Sequence, residues 1–283
     1  MNALHSILFA LIQGASELFP VSSLGHAVIV PALFHWNINQ AAPSFLPFIV
    51  MLHLGTAAAL LLYFWRTWWE ILLGVLGRGN PASVAAYRAL LLKLIVATLP
   101  AVVIGFALKK SIRHLFASPV IAAVFLIVNA GLLLLGERLR RRDPAGRPAT
   151  RFNDLTMMDA LVIGFFQCLA FLPGISRSGA AIVGGLTRGV DHEGAAGFAF
   201  LMATPVIAGA TVVEVPKLVH NHQIHGLLGL ALLAAIIAGV TAFASTAFLM
   251  RYFRNHDNWA LKPFATYCAA AGLLSIILLS LGY

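Results

Sequence analysis

Charge is what this sequence has least of. Only 10% of its 283 residues are Asp, Glu, Lys or Arg, 60% are apolar, and mean hydropathy is +0.89. A soluble domain carries roughly 25% charged residues, so a chain of this size could not cover a water-facing surface, and a soluble fold is excluded. Acids are scarcest, with ten Asp and Glu in all. The resulting net charge of +9 would suggest nucleic acid in a soluble protein. Here the basic residues fall mostly in short stretches between apolar runs, where they orient a membrane protein, so no nucleic-acid partner is expected. Cysteine is also scarce. Cys168 and Cys268 lie inside apolar stretches without metal-ligand spacing, which reads as two small core residues rather than a zinc or redox site. A cleavable leader is not expected either: no basic segment precedes the first apolar run, and Gln13 and Glu17 interrupt it.

What the sequence has in quantity is long apolar runs. Six approach the roughly 20 residues that cross a hydrocarbon core, at about 45–65, 88–108, 118–137, 197–215, 227–250 and 262–282. Two more, about 2–35 and 157–189, are apolar but broken near the middle, by Phe19-Pro20-Val21-Ser22-Ser23 and by Leu172-Pro173-Gly174-Ile175-Ser176. A break at membrane depth frees backbone groups and is tolerated only where protein or a wet cavity satisfies them. These two segments are therefore expected to be re-entrant helical hairpins. They also resemble each other: each carries a Gln (Gln13, Gln167), an apolar stretch, a Pro (Pro20, Pro173) and a pair of serines. Interrupted segments at matching places in two halves point to a midplane site.

The expected fold is an all-α polytopic membrane protein, with six transmembrane helices and two re-entrant hairpins in inverted-topology repeats. It forms one domain, with repeat 1 at about 1–137, repeat 2 at about 157–283 and a basic loop at 138–156. Three spans separate the hairpins, and an odd number inverts the second repeat. Loops 66–88, 138–151 and 251–262 hold twelve Lys and Arg, the opposite loops 109–117 and 216–226 four. The first set is expected in the cytoplasm, with Lys109, Lys110 and Arg113 on the other side.

Glu17, His26 and Arg177 lie inside apolar segments. An intramembrane ionisable group costs roughly 2.5–3.5 kcal/mol on insertion scales and is functional by default. A purely structural Glu17–Arg177 pair would not need the hydroxyls of Ser22, Ser23, Ser176 and Ser178 around it. With Arg177 and the amides freed at each break, those hydroxyls form an anion site suited to phosphate. His53 reads equally as a residue lining the cavity or as a hydrogen-bonded packing histidine, Glu214 and Lys217 as an interfacial pair, and His220, His222 and His225 as a solvated loop. The run Arg138, Arg140, Arg141 and Arg142 reads as an orientation signal that also attracts anionic headgroups.

The segment Gln13-Gly-Ala-Ser-Glu17-Leu-Phe-Pro-Val-Ser22-Ser23-Leu-Gly-His26, followed far downstream by Pro173-Gly174-Ile175-Ser176-Arg177-Ser178-Gly179, resembles the paired signatures of bacterial undecaprenyl-diphosphatases of the bacitracin-resistance type. The resemblance covers nearly the whole chain. It implies hydrolysis of undecaprenyl diphosphate to the monophosphate, which recycles the lipid carrier for cell-wall polymers. It further implies an inner-membrane location with the site facing the periplasm, and a divalent cation, Mg²⁺ or Ca²⁺. The partners implied are a polyprenyl diphosphate and membrane lipids; a homodimer is left open. The implied site is Glu17, Ser22, Ser23, His26 and Arg177 as catalytic residues, with Gln13, Gly174, Ser176 and Ser178 binding substrate. Leu24, Ala181 and Tyr267-Cys268 depart from the family pattern, where Ser or Thr, Thr, and Tyr-Arg are common.

In the mechanism expected from these residues, Arg177 clamps the transferred phosphoryl group and Ser176 and Ser178 donate to its oxygens. Ser23 or Ser22 is the nucleophile, with His26 as base or acid; direct attack by water is the other route. Glu17, with Gln13 one turn away, holds the metal. The competing class is a transporter or flippase of a lipid phosphate or small anion, which uses the same broken-helix architecture.

Overall fold

The computed structural model describes residues 3–36, 45–115, 118–140, 154–219 and 228–282, with side chains described at 3–36, 48–107, 118–140, 154–209 and 229–282. Lys109, Lys110, Arg113, Glu214, Lys217, His220, His222, His225 and most of loop 138–156 lie outside the described side chains. Among the described residues all regular structure is helical. Helices α1 (Ala3–Ser16) and α2 (Ser23–Leu33) form the first broken segment. Helices α7 (Met157–Gln167) and α8 (Arg177–Thr187), joined through a 3-10 turn at Cys168–Phe171, form the second. Both breaks fall where Pro20 and Pro173 were expected to stop the chain. Each half-helix has at most 14 residues, or about 21 Å at 1.5 Å per residue, too short to cross a bilayer.

Four helices are long and apolar enough to cross alone. They lie within α5 (Pro81–Leu115), α6 (Pro119–Arg140), α10 (Leu228–Asn255) and α11 (Lys262–Ser280). The expected span at 45–65 is α3 (Phe45–Tyr63), which turns by 76° into α4 (Trp65–Val75) and passes the test only as a bent pair. The sixth expected span is α9 (His192–Val219); its last ten side chains are not described.

Two expected loops are corrected. Residues 66–88 hold α4, whose exposed Trp65, Trp69 and Leu72 suit the amphipathic interface where Trp is enriched. The next helix begins at Pro81 rather than near 88, because the Asn80 Oδ1 accepts the Ser83 amide at 2.8 Å and Pro81 fills the first helical position. That helix then runs past Pro100 to Leu115, so 109–117 is largely helix too.

The halves interleave. The first helix of each hairpin packs on a long helix of the other half, α1 on α10 and α7 on α5, while α3 meets α9 and α6 meets α11. Helix α6 touches both α2 and α8, which places it behind the two breaks. One end of the bundle is tied by a charged cluster. His192 is fully buried, with Nε2 3.0 Å from the Glu137 Oε1 and Nδ1 2.9 Å from the Asp257 Oδ1. The Leu261 amide donates to Glu137 at 2.7 Å, and Arg140 pairs with Asp257. Helices α6 and α9 and the α10–α11 connection are held by this one cluster.

Asp257 supplies a pH test of that tie. Burial raises its pKa, but hydrogen bonds from Arg140 and His192 outweigh burial and hold it below the ordinary carboxylate range. A depressed carboxyl stabilises the fold above its unfolded pKa, and the contribution disappears as pH falls through the folded value. Asp257→Asn should lower the melting temperature in detergent at pH 7 and flatten its decline on acidification below pH ~4. An unchanged acid limb would show that the cluster does not tie the helices.

Candidate functional site

The first break places Glu17 in the turn after α1, and its carboxylate is almost fully buried. Glu17 Oε1 accepts from the Arg177 Nη2 at 3.0 Å. Its Oε2 accepts from the Gln13 Nε2 at 3.0 Å and from the Ser23 Oγ at 2.6 Å. Gln13 lies one helical turn before Glu17 on the same side of the break, whereas Ser23, the first residue of α2, reaches Glu17 across it. Arg177 is the first residue of α8 and brings the second hairpin to the same carboxylate. Breaking such a buried pair by removing one partner costs about 3–5 kcal/mol.

The serines divide. Ser22 and Ser176 are N-caps, accepting the Gly25 amide at 3.2 Å and the Gly179 amide at 3.1 Å. Ser22 does so with φ 69°, a left-handed conformation that costs a non-glycine residue on the order of 1–3 kcal/mol and gathers at functional sites. Ser178 is wholly buried, 3.0 Å from the Ser176 Oγ and 3.1 Å from the Phe19 carbonyl, to which it donates. Ser176 and Ser178 meet carbonyls and amides freed by the two breaks, and Ser176 also lines the cavity. At Gly174, with φ 105°, an ideal Cβ would lie 2.3 Å from the Ala122 carbonyl of α6, so the glycine permits close packing of the turn.

His26 is hydrogen-bonded at both ring nitrogens. Its Nδ1 lies 2.6 Å from the Ser22 carbonyl and must donate to it, which leaves Nε2 to accept the Tyr267 hydroxyl at 2.7 Å, with the two rings stacked. The hydrogen-bond partner of Ser23 is Glu17 instead.

The groups meet in a cavity of about 340 Å³. Its polar lining is Glu17, Ser22, Ser23, His53, Gln167, Ser176 and Arg177. The rest of the lining is apolar, with Leu24, Ile49, Val50, Ala101, Ala170, Phe171, Ile175, Val206 and Ile207. The departure at Leu24 thus adds to the apolar lining. Among the described residues, the buried Arg177 Nη1 has no hydrogen-bond partner, and neither has the Gln167 Oε1, whose Nε2 donates to the Ala97 carbonyl at 2.8 Å. A stranded guanidinium N–H is costly unless an anion meets it.

Two contributors escape the sequence reading. Asn129, fully buried in α6, donates from Nδ2 to the Pro20 carbonyl at 2.9 Å and accepts the Ser176 amide at 3.1 Å. One side chain thereby holds both breaks. The available signal is an amide alone in the middle of an apolar span. Cys268, another of the departures, lies 3.4 Å from the same Nδ2. Gln167 belongs to the matched pair of glutamines but not to the expected site. His53, left open between cavity lining and packing, lines the cavity and places its Nε2 3.6 Å from the Glu17 Oε2.

Comparison with known proteins follows this geometry. Residues 6–274 match the family model described as bacitracin resistance protein BacA. The chain is 69% identical to the undecaprenyl-diphosphatase of Acidiphilium cryptum (strain JF-5) over the full length of both. It is 57% identical to the undecaprenyl-diphosphatase of Granulibacter bethesdensis, over 96% of this chain and 95% of that relative. With the one from Gluconacetobacter diazotrophicus it shares 53%, over 99% and 98%.

Asn129→Ala tests the brace behind the site. It strands the Pro20 carbonyl and the Ser176 amide, at about 1–3 kcal/mol for each buried group left unsatisfied. The melting temperature should fall by several degrees and turnover should fall with it. A variant with wild-type melting and turnover would remove Asn129 from the account.

Proposed function

Because the chain belongs to the bacitracin resistance protein BacA family, we propose that it is a membrane phosphatase that hydrolyses undecaprenyl diphosphate to undecaprenyl phosphate and inorganic phosphate. The observation that carries this reading is the buried Arg177 Nη1, unpartnered among the described residues, beside a cavity lined by both polar and apolar side chains. Such a cavity fits an amphiphile, with the diphosphate against Arg177 and the first isoprene units against Phe171, Val206 and Ile207. Arg177 spends one nitrogen on Glu17 and keeps the other for a phosphoryl oxygen.

Ser23 is the proposed nucleophile and Glu17 its base, since the Ser23 hydroxyl already donates to the Glu17 Oε2 at 2.6 Å. Ser23 Oγ bonds to the terminal phosphorus, and the bond from that phosphorus to the bridging oxygen breaks. The lipid monophosphate departs with the bridging oxygen, and the serine proton passes to Glu17. Water then attacks the phosphoserine phosphorus, the bond to the Ser23 Oγ breaks, Glu17 returns its proton to that oxygen, and inorganic phosphate leaves with the oxygen and protons of the water. Arg177 neutralises charge on the transferred group in both steps. Among the described residues no group of three or more His, Cys, Asp or Glu is placed to hold a metal ion, so a closed metal cage is not available. One carboxylate beside a diphosphate does suit Mg²⁺ or Ca²⁺, and Glu17 is the proposed ligand. Bound there, the cation would neutralise diphosphate charge. The cavity is proposed to open toward the periplasm of the inner membrane, from the excess of Lys and Arg in the loops assigned to the cytoplasm.

Purified protein in detergent should release phosphate from undecaprenyl diphosphate, and Arg177→Lys should be near background, since a point charge cannot serve Glu17 and phosphate at once. No release by the wild-type protein, with anion transport in vesicles instead, would replace the phosphatase reading with a transporter. Removing one donor from a preorganised site costs about 10²–10³ in rate. Ser22→Ala should therefore retain measurable turnover, while Ser23→Ala should fall to background. Acid quench of the wild type should trap phosphoserine. Equal, modest losses at both serines with nothing trapped would make water the nucleophile. For orientation, a single cysteine at position 145, in a background lacking Cys168 and Cys268, should resist labelling from the periplasm; labelling there would reverse the orientation.

A further inference from the structure

His53 lies on α3, outside both signature segments. Its ring is oriented by the backbone. The Ile49 carbonyl, 2.9 Å from Nδ1, can only accept, so Nδ1 carries the proton and Nε2 is the free nitrogen of the neutral ring. That nitrogen faces the Glu17 Oε2 at 3.6 Å, at the edge of the cavity and beside the hydroxyl of Ser23. The lone pair of Nε2 there faces an oxygen that already accepts from Gln13 and Ser23, too far away for a normal hydrogen bond, a placement that a positive charge between the two atoms would favour.

From this geometry we propose that His53 Nε2 and the Glu17 carboxylate are a nitrogen–oxygen ligand pair for the divalent cation, which biases the site toward Mn²⁺ or Co²⁺ over Ca²⁺. The proposal rests on the reading that a cation meets the diphosphate at Glu17. Three features support it. Histidine ligands characteristically donate their other ring N–H to a carbonyl or carboxylate, which fixes the tautomer, and Ile49 provides that carbonyl. Ligand bonds of about 2.0–2.4 Å, set at right-angled to tetrahedral openings, separate neighbouring ligand atoms by roughly 3.0–3.9 Å, a range that includes the observed spacing. Two protein ligands also leave open positions for phosphate oxygens and water, in keeping with the lack, among the described residues, of any group of three or more His, Cys, Asp or Glu placed to hold a metal ion. Imidazole suits borderline metals, whereas Ca²⁺ prefers an all-oxygen shell.

The alternative is a protonated His53 that pairs with Glu17 and binds no metal. The two differ in a spectroscopic signature. Purified full-length protein with Mn²⁺ and methylenediphosphonate, a non-hydrolysable diphosphate, should show ¹⁴N coupling to Mn²⁺ by pulsed electron paramagnetic resonance. His53→Gln, which offers an oxygen in place of the nitrogen, should lose the coupling, bind Mn²⁺ about tenfold or more weakly and bind Ca²⁺ no worse than the wild type. Absence of ¹⁴N coupling in the wild type, its persistence in His53→Gln, or failure of Mn²⁺ to bind would each overturn the proposal. Phosphate release is read separately. If it is absent while the coupling is present, the phosphatase reading fails and the ligand assignment stands.

Discussion

A carboxylate from one broken helix and a guanidinium from another meet at 3.0 Å inside an apolar bundle, and the rest of the structure is arranged around that contact. Either charge alone would be expensive at this depth. Together they neutralise each other, and each retains bonding capacity. Glu17 also accepts from Gln13 and Ser23, while one Arg177 nitrogen has no partner among the described residues. The pair therefore does two things. It joins the hairpins, and it leaves one activated hydroxyl and one free donor beside the same cavity.

Bringing two helix breaks together exposes more backbone than it satisfies, and the bundle answers this with short polar side chains. Ser22 and Ser176 cap the second halves of the hairpins, Ser178 donates to the Phe19 carbonyl, and Asn129 bonds to both turns from behind. Gly174 lets the second turn press against α6. Residues that look alike in a motif thus separate by what is left over after the backbone is satisfied. Ser23 directs its hydroxyl to the Glu17 carboxylate, whereas Ser176 and Ser178 have theirs engaged with the fold.

The hairpins are legible in the sequence because Pro20 and Pro173 interrupt apolar runs where no soluble loop could lie. Glu17 and Arg177 stand out for the same reason, as charges without water. The hydrogen-bond partner of His26 is not legible. Its spacing from Ser23 suggests a shared helical face, but the ring turns to Tyr267, more than two hundred residues away in sequence. Asn129 is missed, and His53 is left open between cavity lining and packing, because each is a single polar residue in an apolar span, and only the tertiary arrangement tells a brace or a cavity residue from a packing residue. The bend after Tyr63 and the early start of α5 depend on local capping at Asn80 and on the aromatic face of α4, which a hydropathy pattern reads as loop.

The central claim is that Glu17 and Arg177 act as one unit joining the hairpins, and a double-mutant cycle on thermal unfolding in detergent tests it most directly. Glu17→Gln and Arg177→Gln should each lower the melting temperature, because each leaves a buried charge unpaired. The double variant, which leaves neither charge, should melt no lower than the less stable single variant. Losses that simply add would show that the two residues are independent, and would contradict the account.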